Sequence, residues 1–133
     1  MVGSAIAFIG FPVHLAKVNT YMTTHQLGGA EFFTGEVIKK LLHKLEQETS
    51  IAIYLADIED GEGNDYYYLC HFVLFKRGWI QDHEEMARVD VPPKFSALVH
   101  TLGDDNAHIK RMSARSAKVY SFDESGNTRI KAS

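Results

Sequence analysis

The apolar stripe between residues 35 and 48 restricts the fold more than any other part of the chain. In GEVIKKLLHKLEQE, Val37, Ile38, Leu41, Leu42 and Leu45 recur at three- and four-residue intervals. That spacing puts them on one side of an α-helix and leaves the polar residues on the other. Such a helix must lay its stripe on an apolar surface, and the chain supplies one directly afterwards. IAIYLADI (51–58) and YYYLCHFVLF (66–75) are strand-like runs joined by the acidic, turn-rich EDGEGND. Thr34 is placed to cap the helix, and Glu36 lies in its first turn, where the helix dipole favours an acid. Gly28 and Gly29 allow the preceding loop backbone angles closed to other residues, and a close approach to a ligand or a strand.

The flanking segments add further elements. Ser4 to Val13 is a continuous apolar run, read as a buried strand closed by Pro12. His14 to Gln26 is readable two ways: Leu15, Val18 and Met22 fit helical spacing, whereas Val18, Thr20, Tyr21, Thr23 and Thr24 are strand formers. In the strand pair, Ile51, Ile53 and Leu55 share one face, and Ala52, Tyr54 and Ala56 the other. The run from Tyr66 is apolar or aromatic on both faces, which predicts a central strand. Pro92-Pro93 opens a second helix with the stripe Phe95, Leu98, Val99 and Leu102, and Gly103 stops it. Lys110, Arg111, Arg115 and Lys118 read as a solvated helix face. The tail reads as a hairpin around Ser125-Gly126-Asn127.

Composition limits the functional classes. With 133 residues, 45% of them hydrophobic, the chain has material for one domain with a real core. A net charge of −3 does not advertise nucleic-acid binding. The single cysteine rules out an intrachain disulfide and suits a reducing, cytoplasmic setting. No run reaches the ~18 apolar residues of a membrane span, and MVGSAIAFIGFPV lacks the pattern of a signal peptide. Cys70 and His71 are adjacent in a strand, so they point to opposite faces and cannot form a nucleophile–base dyad. The acidic loop 57–65 has its glycine at the wrong offset for a calcium loop and reads as a solvated hairpin tip.

The stretch from Thr24 to Ile51 resembles a degenerate Nudix box, the signature of hydrolases that cleave a nucleoside diphosphate linked to another group. The layout is carried by Gly28-Gly29, Gly35-Glu36 and His43-Lys44-Leu45-Glu46-Gln47-Glu48-Thr49-Ser50-Ile51. Aligned on Leu45 and Ile51, His43 stands where the family has arginine, and Ser50 where it has its closing glycine. Lys44 and Gln47 replace two of three helix carboxylates, and Glu48 survives. The resemblance implies an α+β domain, a mixed β-sheet sandwiched between helices. It covers about 5–102, with 103–133 as a helix and hairpin extension, and it favours a strand at 14–26. It also implies magnesium held by Glu36 and Glu48, with Glu48 and Glu85 as catalytic groups. Glu85 belongs to the charged run Asp82, His83, Glu84, Glu85, read on its own as a surface loop. Nudix-like domains are often dimers, so a homodimer belongs to the same expectation.

The departures carry chemistry of their own. Positions 40, 44, 47 and 48 share one helical face, which here reads Lys40, Lys44, Gln47, Glu48. Ammonium groups repel a divalent cation and attract phosphate. Three readings therefore stay open. One is a hydrolase with a weakened magnesium site. Another is a binder of a nucleotide or other phosphate-bearing small molecule, using Gly28, Gly29, Lys40, His43 and Lys44, with Trp79 stacked on a base or else covering the sheet edge. The last is a small interaction protein, of inhibitor or immunity type, that presents the acids of 57–65 and 82–85 to a basic protein partner.

Overall fold

A computed structural model describes residues 4–59, 65–75, 84–122 and 128–131. The described elements are β1 (Ser4–Pro12), α1 (Leu15–Thr24), α2 (Gly35–Thr49), β2 (Tyr54–Glu59), β3 (Asp65–Phe75), α3 (Pro93–Ser96), α4 (Leu98–Leu102), β4 (Lys110–Phe122) and β5 (Thr128–Lys131). A single helical turn at 84–87 lies between β3 and α3. The α+β class expected from the sequence is the class the chain adopts. Every pairing among the described strands is antiparallel, where a mixed sheet was expected.

The pairings form a closed circuit. β1 is bonded to β3 on one side and β4 on the other, and β2 is bonded to the same two strands. The long strands β3 and β4 serve both partners in turn: β4 pairs with β1 over Lys110–Ala117 and with β2 over Ala117–Ser121. Beyond the start of β1, whose Ser4 faces Ala117, β5 pairs with β4 over Val119–Phe122. The expected C-terminal hairpin pairing is therefore present, although its turn lies outside the described residues.

Strand alternation explains how the sheet fills itself. Ile6 and Phe8 of β1, Ala56 of β2, Cys70 of β3, and Ala117 and Val119 of β4 pack together as one buried cluster. The opposite faces of the same strands carry Phe11, Leu55 and Leu69, and these meet Val18, Tyr21 and Met22 of α1 and Ile38, Leu41, Leu42 and Leu45 of α2. A third cluster joins Ala7 and Ile9 to Met86 of the 84–87 turn. Arg111 secures that turn and the chain after it, donating from Nε to the Met86 carbonyl at 3.1 Å and from Nη2 to the Val89 carbonyl at 2.7 Å. Among the described residues, one face of the sheet is thus covered by helices, and the other by its own side chains rather than by a second helical layer. The split of Ile53 and Leu55 from Tyr54 and Ala56 follows the sequence reading.

Two segments differ from expectation. Residues 15–24 form helix α1, not the strand favoured by the family comparison. Burying Val18, Tyr21 and Met22 on one side outweighs the weak strand preference of the threonines, which remain exposed. Residues 110–118 are strand, not a helix face, because β4 supplies the second edge to both β1 and β2. This makes the C-terminal quarter integral to the sheet rather than an extension of it.

α2 follows its sequence closely. Thr34 Oγ1 accepts from the Val37 amide at 3.2 Å, capping the first turn. At the other end Ser50 takes left-handed angles, φ 57 and ψ 30, where a glycine would be unstrained. The opposite constraint acts at Gly10. A Cβ there would lie 2.3 Å from the Leu69 carbonyl oxygen and 2.8 Å from Cys70 Sγ. Gly10 also marks a register shift, since Ile9 faces Phe72 while Gly10 faces Cys70. His71 is the extra residue of this bulge.

Within the bulge, the His71 ring lies 4.9 Å from the Phe95 ring, and its Nε2 is buried with no hydrogen-bond partner among the described residues. Burial, and then the nearby Arg111 charge, hold the imidazole below its ordinary value. The fold therefore keeps His71 neutral. Its contribution is complete above the unfolded histidine value and falls as pH drops through that value, because the unfolded chain then binds a proton that the fold rejects. Between about pH 7.5 and about pH 5.5, wild type is expected to lose more stability than His71→Gln, as read by urea midpoints. Equal losses contradict this. Gly10→Ala is expected to cost at least about 2 kcal/mol. Ser50→Gly is expected to stabilise by about 0.5–1 kcal/mol. Urea unfolding at neutral pH measures both signs.

Candidate functional site

α1 is amphipathic in a second sense. Lys17, Thr20, Tyr21, Thr24 and His25 follow i, i+3, i+4, i+7, i+8 spacing, so they form one stripe beside the buried one. This stripe faces a cleft of about 540 Å³. Glu48, from the last turn of α2, forms another part of the lining, and Leu98, His100 and Thr101 of α4 complete it. Two helices and a short third one thus bring hydroxyls, imidazoles and an ammonium group to a single concavity.

Glu48 is the centre of its polar network. Tyr21 donates its hydroxyl hydrogen to Glu48 Oε2 at 3.0 Å. The other oxygen, Oε1, lies 3.5 Å from His25 Nδ1 and 3.6 Å from Lys44 Nζ. The His25 ring also packs against Tyr21, centroid to centroid 4.2 Å. Burial, together with the adjacent Glu48 carboxylate, pushes the Tyr21 phenol up, so it remains a donor. Lys44 balances the carboxylate's charge. Lys17 and His100 face the cleft with no carboxylate partner among the described residues. The local balance is cationic, and four hydroxyl-bearing side chains (Thr20, Tyr21, Thr24 and Thr101) surround it.

Of the residues singled out in the sequence, Glu48 lines this cleft and Lys44 borders it. Lys40 pairs instead with Glu36 at 3.6 Å, one turn from the helix start. His43 lies on another side of α2, stacked on Phe122 at 4.5 Å with planes 6° apart. Gly28 and Gly29 belong to the loop after α1, which Asn19 holds by accepting from the Ala30 amide at 2.7 Å. A Cβ on Gly29 would sit 3.0 Å from that Asn19 oxygen, which accounts for the glycine without a ligand. Glu85 stands on the turn fixed to the Ala7–Ile9 patch and does not line the cleft. Trp79, Asp82 and His83 lie outside the described residues. Asp57 is buried, only 8% exposed, so it adds nothing to an acidic rim.

Magnesium, implied by the family resemblance, requires carboxylate oxygens that converge. α2 sets Glu36 and Glu48 twelve residues apart, about 18 Å along the helix axis. The Lys44 ammonium occupies the space beside Glu48 where a cation would have to approach. These residues do not fit a shared ion.

Comparison with protein-family models, with curated proteins and with solved structures finds no match. The geometry of the cleft therefore carries the functional reading. Lys17, His25, His100 and the threonines were not picked out from the sequence. The signal for the α1 members was present as the 17–20–21–24–25 stripe, which becomes visible only when residues 15–24 are read as a helix.

If Tyr21 and Glu48 are coupled as described, Tyr21→Phe costs about 1 kcal/mol. A double-mutant cycle with Glu48→Ala is expected to return coupling of the same order. Zero coupling in urea unfolding contradicts the contact.

Proposed function

We propose that this chain binds a phosphate-bearing small molecule, of the nucleoside diphosphate class, in the cleft between α1, α2 and α4, without a metal ion. The observation that carries this reading is the charge balance of the cleft. Among the described residues, Lys17 and Lys44 outnumber the single carboxylate, Glu48, and Lys44 already neutralises it. A phosphoryl group entering the cleft meets Lys17, the imidazoles of His25 and His100, and hydroxyl donors. That donor set suits anionic oxygens. The volume of about 540 Å³ suits a ligand of nucleotide size, and Leu98 gives its apolar part a surface to cover. The degenerate Nudix-like box supports the same substrate class, with lysine in place of the ion's charge.

The His25–Glu48 pair favours a second reading, hydrolysis of the bound phosphate ester by acid–base chemistry. A carboxylate facing Nδ1 orients the imidazole and leaves Nε2 for a water or leaving group. This reading requires turnover that falls on His25→Gln while binding survives.

A thermal-shift series with inorganic phosphate, pyrophosphate and nucleotides, each in magnesium and in chelator, tests the binding proposal. A ligand at 100 times its Kd stabilises by about 2.7 kcal/mol, which is several degrees in Tm. The expected result is stabilisation that persists in chelator and weakens in Lys17→Glu and Lys44→Glu. Stabilisation that requires magnesium, or none with any phosphate compound, overturns it.

A further inference from the structure

The cleft between α1, α2 and α4 has two unlike ends. The start of α1 is bonded to the end of α4, the His14 amide donating to the Leu102 carbonyl at 2.9 Å. His100 and Thr101 directly precede Leu102, so they join Lys17 at this end. Lys17 has no carboxylate partner among the described residues, which leaves its charge open to a ligand. His25 lies eight residues further along α1, about 12 Å by helical rise. There it meets Glu48 and Lys44, whose opposite charges face each other at 3.6 Å and cancel.

Between the two ends, α1 presents oxygens whose protons are already committed. Thr20 Oγ1 donates to the Ala16 carbonyl at 3.1 Å, and the Tyr21 hydroxyl donates to Glu48 Oε2 at 3.0 Å. A hydroxyl that has given its proton to one partner can only accept from the next. A phosphate oxygen is itself an acceptor and finds no proton at these two positions. A sugar hydroxyl brings its own proton and fits both.

We infer that the ligand lies in this cleft in one direction, with its phosphate at the Lys17–His100 end and its sugar hydroxyls against Thr20 and Tyr21, so that the site selects ligands whose anionic groups all stand at one end. This direction rests on the phosphate reading of the cleft and narrows it. A second anionic group on the far side of the sugar meets acceptors and the Glu48 carboxylate, and like charges brought together are costly. Nucleoside 5′-diphosphates and sugar monophosphates obey the rule. Bisphosphates with a phosphate on each side of the sugar break it.

The test uses two isomers, adenosine 5′-diphosphate and adenosine 3′,5′-bisphosphate, which share base, sugar and number of phosphate groups. Their affinities for the full chain are measured by calorimetry in chelator at about pH 8, where lysine and not a free imidazole carries positive charge. The 5′-diphosphate is expected to bind about tenfold more tightly. The bisphosphate is the more negative of the two, so unspecific attraction alone gives the opposite order. Lys17→Gln, checked for an unchanged fold by circular dichroism, is expected to lower affinity for the 5′-diphosphate about tenfold. In an NMR titration, inorganic phosphate is expected to shift the ring resonances of His100 and leave those of His25 in place, the two being assigned by their loss in His100→Gln and His25→Gln. Equal or tighter binding of the 3′,5′ isomer overturns the inference while the phosphate reading stands, and so does a shift of His25 rather than His100. Binding of neither nucleotide removes both.

Discussion

The contact on which the rest of the architecture depends is the passage of β1 at Gly10 against Leu69 and Cys70 of β3. No side chain separates the two backbones there, and β1 is thereby drawn close enough to β3 on one side to be flanked by β4 on the other. Once β1 is held between those strands, the sheet closes and its inward side chains are sealed among themselves. The outward side chains are then presented at fixed positions for α1 and α2. The bulge that accommodates the passage also displaces His71, leaving its Nε2 buried and without a hydrogen-bond partner among the described residues. Local congestion in one strand pair is thus the source of both the closure and its most evident imperfection.

α2 does more than cover this sheet. Its buried stripe sets its rotation, and that rotation distributes its polar residues among different surroundings. His43 is turned towards β4 and stacks on Phe122, while Glu48 is turned towards α1. The rotation also distinguishes Lys40, paired within its own helix, from Lys44, which stands beside the cleft. A carboxylate held by a phenol, an imidazole and an ammonium group is already satisfied. It orients those donors.

Much of this was readable from residue order. The stripe 37–45, the cap at Thr34, the central character of β3 and the helix breaks at Pro92-Pro93 and Gly103 all depend on local periodicity and local backbone chemistry. They emerged within a few residues of their expected places. What depended on distant partners was not readable. β4 carries four basic residues between 110 and 118 and looks like a solvated face, yet its two neighbouring strands come from the other parts of the chain. α1 was ambiguous because its threonines favour a strand while its buried contacts require a helix. Glu48 could be singled out from the sequence, but its partners Tyr21 and His25 become visible only with the helix they share. Glu36 and Glu48 show the reverse error: residues that a motif groups together are separated by the length of the element that carries them.

The closed circuit also has a consequence for how the chain reaches its native state. β1 is made before every other described element, yet one of its two hydrogen-bonded edges is completed by β4, roughly a hundred residues later. Until then the amides on that edge, and Ile6 and Phe8 that belong inside, have no native cover. Contacts of such long sequence separation slow folding, because the loop entropy is lost before the pairing is gained. Until β4 is made, β1 is an apolar strand with one native edge unpaired. Its protection during that interval must come from transient burial against α1 and α2 or from the cellular machinery that shields exposed strands.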